Sequence, residues 1–225
     1  MNDFLFGIYP YIALAIFLFG SLVRFEREQY SWKSESTQLI RRGQLRLGSY
    51  LFHIGILMVF VGHLGGLLTP LALWDALGVS HGVKQMIAMV AGGVFGSMAL
   101  VGLALMIYRR VSDARLRAMT TWRDKLTLGW IGVTLLLGLS TILVSRDHLD
   151  GHMMTLFMAW AQHIVTCRPD AAALVADAPM VFKLHMLMGM TLFVIFPFTR
   201  LVHVWSGFGT ASYLLRAWQV VRPRQ

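Results

Sequence analysis

Four histidines lie inside apolar stretches, where an ionisable side chain costs free energy and marks a functional site by default. His53 and His63 sit in SYLFHIGILMVFVGHLGGLLTP (49–70), and His185 and His203 in FKLHMLMGMTLFVIFPFTRLVHVWS (182–206). Imidazole ligates transition metals, and haem iron takes axial histidines. A six-coordinate haem with two axial histidines has no open position for oxygen, so such a centre suits electron transfer. Zinc fits poorly, because no cysteine or carboxylate sits beside any of the four. The chain has one cysteine, Cys167, and no C-x-x-C-H, which excludes covalent c-type attachment. Two haems are the reading that four paired histidines favour. A proton relay in a transporter, or helix packing, is the alternative.

The elements that position these rings are membrane spans. Of 225 residues, 56% are apolar and only 14% charged, with a mean hydropathy of +0.62. A soluble domain carries about 25% charge, so neither a soluble globule nor a disordered chain fits. The composition implies one all-α, polytopic membrane domain over residues 1–225, with five transmembrane helices at roughly 4–23, 49–69, 86–108, 126–145 and 182–203. Each run reaches about 20 residues, enough as a helix to cross some 30 Å of hydrocarbon. The start lacks a basic n-region and reads as a retained span. The shorter run at 153–165, interrupted by Gln162 and His163, reads as an interfacial or re-entrant helix.

Net charge is +9, from 20 Lys+Arg against 11 Asp+Glu. Basic residues alternate as six, one, six, three and four along the segments that follow successive spans. That alternation follows the positive-inside rule, and it places the N-terminus outside and the C-terminus in the cytoplasm. It makes membrane lipid, not nucleic acid, the source of the basic bias. Trp32, Trp74, Trp122, Trp160 and Trp205 fall near the interfaces. Antiparallel order pairs His53 with His203 on the inner side and His63 with His185 on the outer side. Rise alone separates His53 from His63 by about 15 Å and His185 from His203 by about 27 Å, a mismatch that a kink at Pro197 can absorb in part. Glycines beside the histidines (Gly55, Gly62, Gly65, Gly66, Gly189) and in the third span (Gly92, Gly93, Gly96) suit a flat macrocycle or close helix packing equally.

H-I-G-I-L-x-x-F-V-G-H with L-T-P after it, and L-H-x-x-x-G-M-T-L-F-x-x-F-P-F-x-R-L-x-H-x-W-S, resemble the gamma subunit of respiratory nitrate reductase, a membrane dihaem cytochrome b. Y-P-Y-I-A, Q-Y-x-W, V-K-Q with A-M and G-G, and D-G with W-A-Q extend the likeness in order along nearly the whole chain. The resemblance implies two haem b groups, with His53 and His203 as inner and His63 and His185 as outer axial ligands. It implies quinol oxidation near the outer haem, in which His63 marks the haem edge and Lys84, in V-K-Q, binds the quinol, menaquinol or ubiquinol. It further implies proton release outside, and electron transfer to an iron–sulfur beta subunit and a molybdenum catalytic alpha subunit. The expected location is a bacterial or archaeal cell (inner) membrane, and no nitrate-reducing site is expected on this chain. A cytochrome b anchor of another quinol-linked reductase is the nearest alternative. The segment 71–82, with His81, departs from the family pattern. Without the resemblance, Lys84 reads as a snorkelling lysine of an outer loop. Arg109, Arg110 and Arg200 are candidate partners for haem propionates or simply topology-setting cations. His148, His152, His163 and Cys167 carry no assigned role.

Overall fold

The computed structural model describes residues 1–28, 32, 42–146 and 149–207. His148, the Gln29–Tyr30 pair and the basic residues Lys33, Arg41, Arg216, Arg222 and Arg224 lie outside them. The described residues form helices and no strand. Five helical segments are long and apolar enough to cross a membrane: Phe4–Arg27, Leu45–Leu68, His81–Ser112, Trp122–Ser145 and Met180–Phe198. In chain order the α-helices are α1 (Tyr9–Arg27), α2 (Arg42–Leu68), α3 (Leu71–Ala76), α4 (His81–Ser112), α5 (Ala114–Met119), α6 (Trp122–Ser145), α7 (His152–Val165), α8 (Ala171–Leu174) and α9 (Met180–Ile195). The expected short helix at 153–165 is α7.

Local chemistry sets the boundaries. A π-helical turn, Phe4–Ile8, runs directly into α1, and Pro10, which has no N–H to donate, sits where the wider turn gives way to the α-helix. Ser80 caps α4 by accepting from the Val83 N–H, so the third span begins at His81, five residues earlier than its apolar run suggests. Thr121 and Asp124 close a reciprocal capping box at the start of α6. α9 ends at Ile195 because Pro197 cannot continue it. Two 3-10 turns, Phe196–Phe198 and Arg200–Val202, follow, with extended Thr199 between them. Arg24 of α1 donates from Nη1 to the Pro197 and Thr199 carbonyls at 2.7 Å each, satisfying acceptors that the break releases. Gly20 lets α1 come this close: a Cβ there would sit 3.0 Å from the Pro197 ring.

α2 packs on α4, α4 on α6, α6 on α9 and α9 on α1. The α2–α4 seam is backbone against backbone. A Cβ on Gly55 would stand 2.5 Å from the Ala99 nitrogen, and one on Gly102 would stand 2.7 Å from the Gly48 carbonyl. Small residues at such crossings let membrane helices approach without side chains between them. Ala99, Leu103, Ile131 and Leu135 form one core at this side, while Phe6, Ala13, Ala172, Val175, Ala178 and Met190 form a second where α1, α8 and α9 meet. Many large apolar side chains, including Phe19, Val61 and Val90, are exposed, as a lipid-facing surface requires. α2 and α9 do not pack closely on each other. The gap between them is where the histidines meet.

Candidate cofactor-binding site

The structure opposes His53 to His203, with ring centroids 6.2 Å apart, and His63 to His185, with centroids 6.0 Å apart. α9 ends at Ile195, between His185 and His203, so the rise of about 27 Å along an unbroken helix does not apply to this pair of rings. Each ring is held by its Nδ1. His53 bonds the Ser49 carbonyl at 2.8 Å, His63 the Val59 carbonyl at 2.8 Å, His185 the Thr134 carbonyl at 3.1 Å and His203 the Arg200 carbonyl at 2.6 Å. A carbonyl can only accept, so the proton sits on Nδ1 and the Nε2 lone pair is available for a metal. This is the outer hydrogen bond that ligating histidines use to fix tautomer and ring direction.

The separations fit a metal between the rings. Two metal–nitrogen bonds of about 2 Å, with two imidazole radii of about 1.1 Å, place centroids roughly 6.2 Å apart. Among the described residues no three His, Cys, Asp or Glu side chains gather into a metal cluster. An iron gripped by two imidazoles would therefore take its remaining ligands from a flat macrocycle. Open space lies near the His63–His185 couple: a Cβ on Gly62, Gly65 or Gly66 of α2, or on Gly189 of α9, would meet nothing within 4 Å. The ring separations and Nδ1 bonds fit a haem at each pair, and the glycines add room for one at His63–His185. Gly138 of α6, which sequence reading passed over, belongs to the site as well. Its missing side chain admits the His185 ring, whose Cε1 lies 2.9 Å from where a Cβ would be.

Lys84 lies in the first turn of α4, within the span and not in a loop, and is 4% exposed. Its Nζ donates to the Gly66 carbonyl at 3.1 Å and to the Met158 sulfur of α7, and lies 4.7 Å from the centre of the Trp74 ring of α3. This ammonium is therefore not a snorkelling cation. It is enclosed at the end of α2 that carries His63. Gln85 beside it donates to the Ser145 carbonyl, tying the start of α4 to the end of α6. Gln162 of α7 donates to the Leu67 and Thr69 carbonyls and so caps α2. His81 pairs with Asp75 at 3.3 Å, holding the 71–82 segment against the start of α4.

At the opposite end Arg109 is buried, and Arg110 lies 3.8 Å from Asp124. Arg200 donates from Nε to Asp124 at 2.7 Å, with its Nη2 on the same oxygen. Asp124, another residue not singled out from sequence, thereby gathers two of the three arginines. His163 bonds Asp170 at 2.9 Å, and Cys167 is exposed at the surface.

Two histidine pairs face each other across the bundle, one ring of each on α2 and the other on α9 or the turns that follow it, in a chain with five helices long and apolar enough to span a membrane. Residues 2–224 match the nitrate reductase gamma subunit family, and the chain belongs to that family. It is 45% identical to the respiratory nitrate reductase 1 gamma chain of Escherichia coli (strain K12), over all of this chain and 98% of that one. It is 42% identical to the respiratory nitrate reductase 2 gamma chain of the same strain, again over all of this chain and 98% of the relative. It is 37% identical to the nitrate reductase gamma chain of Bacillus subtilis (strain 168), over 99% of each. The chain is thus a multi-pass membrane subunit of a nitrate reductase, an oxidoreductase with other subunits.

Proposed function

We propose that this chain is the dihaem, quinol-oxidising cytochrome b subunit of its complex. The observation that carries the reading is the pair of opposed imidazole couples, His53–His203 and His63–His185, with all four Nδ1 atoms committed to carbonyls. Haem b held at each couple would supply one-electron transfer. Lys84, beside the His63 end, donates a hydrogen bond to a quinol oxygen. One of its three donors points at a thioether, a weak acceptor that a quinol oxygen can replace at small cost. The Trp74 face and α7 keep water from that ammonium. With the arginine-rich end cytoplasmic, as the positive-inside rule orients it, protons leave on the outer side. Haem held at the His63–His185 and His53–His203 couples would supply an inward electron path toward an iron–sulfur beta subunit and a molybdenum alpha subunit.

The test is purification from membranes with identification of copurifying subunits and haem quantitation. Two b-type haems per chain, reducible by a quinol, are expected. A folded, haem-free preparation overturns the reading and favours a histidine relay. Proton release measured on the cytoplasmic side overturns the placement of the quinol site.

A further inference from the structure

His203 is not positioned by the long axis of α9. The helix stops at Ile195, and the ring follows two short turns whose orientation must be set from outside. One tie is Arg24, on the Pro197 and Thr199 carbonyls. The other is Asp124, 3% exposed at the start of α6, which receives Arg200 on Oδ1 while Oδ2 accepts from the Thr121 N–H. Arg110 stands 3.8 Å from the same carboxylate. The Arg200 carbonyl in turn accepts the Nδ1–H of His203. A carboxylate this buried is costly unless paired, and the pairing here fixes the one residue whose carbonyl aims the imidazole.

We infer that Asp124 is the positioning residue for His203: through Arg200 it sets the ring direction, and hence the ligand field, of the metal site at the His53–His203 couple. The inference rests on the reading of His203 as a haem ligand. It also assigns Arg200 a structural partner within the chain, so that this guanidinium acts on the site through its backbone.

The assay is haem content and low-spin electron paramagnetic resonance of the membrane-bound complex, in which haems at the two differently supported couples are expected to give separate signals. Asp124→Asn keeps the size and the cap geometry but gives up the charge. It is expected to weaken retention at the His53–His203 couple about tenfold and shift that signal, leaving the His63–His185 signal unchanged. Arg200→Met is expected to produce the same selective change, and the double variant to be no worse than either single one, because both break one link. Thr121→Val removes the cap hydroxyl but leaves the ion pair, and is expected to leave both signals in place. Unchanged signals in Asp124→Asn, equal loss of both haems, or a Thr121→Val variant that reproduces the shift each overturn the inference while the ligand reading stands. A wild-type complex without haem overturns the ligand reading and the inference with it.

Discussion

Gly138→Ala should cost the chain one haem and spare the other. The added methyl would lie 2.9 Å from His185 Cε1, 3.4 Å from Nδ1 and 3.5 Å from Nε2. Carbon atoms rest at about 3.5–4.0 Å, so the ring has to retreat by roughly 0.6–1 Å. It cannot do so freely. Its Nδ1 is bonded to the Thr134 carbonyl, one turn earlier on the same helix α6, so movement away from position 138 also stretches that 3.1 Å bond. A ligand bond tolerates about 0.2 Å of error, and disturbing the support of a ligating histidine costs about 10- to 100-fold in affinity. Haem quantitation and reduced-minus-oxidised spectra of the purified complex should therefore show about one haem per chain, the one at His53–His203. Gly129→Ala is the matched control on the same helix. A Cβ there meets nothing within 4 Å, so both haems should stay, with up to ~1 kcal/mol gained from helix propensity. A Gly138→Ala protein with both haems and an unshifted spectrum would refute the reasoning.

Lys84→Ala should lower quinol oxidation about 10-fold or more while haem content stays at two, since it removes a donor to the substrate and no ligand; steady-state quinol oxidation with haem quantitation checks this. Arg24→Met should leave the Pro197 and Thr199 carbonyls without their charged donor and lower stability by about 1.5–3 kcal/mol, read as an earlier thermal unfolding in detergent. Gly55→Val should drive α2 off α4 at the Phe95–Ala99 backbone, and loss of folded protein from the membrane fraction is the expected readout, whereas the same change at Gly43, with open space around it, should be tolerated.

Much of this architecture can be read from composition and length. Five apolar runs of about 20 residues give five helices, because lipid leaves the backbone no other way to satisfy itself. The ring pairing follows from antiparallel order. What was hidden is the set of contacts between helices. Spans that are apolar all round show no face, so nothing in the sequence marks Gly138 as the floor under His185 or Gly55 as a point of backbone contact. Lys84 stands outside the apolar run, and only the Ser80 cap shows that its helix starts earlier. Asp124 looks like an ordinary capping-box residue, since its bonds to Arg200 span 76 positions of chain. Pro197 announces a break, but where the chain goes afterwards depends on Arg24, far away in the first span.

Each couple draws one ring from α2 and the other from the last crossing, and that has a consequence for biosynthesis. A chain emerging N-terminus first places His53 and His63 in the bilayer long before their partners are translated. Until residue 203 has left the ribosome, half of each clasp stands open. A product truncated after α7 would keep four spans and neither couple. On the proposed dihaem reading, neither couple could grip its haem from both sides before the final span has entered the bilayer.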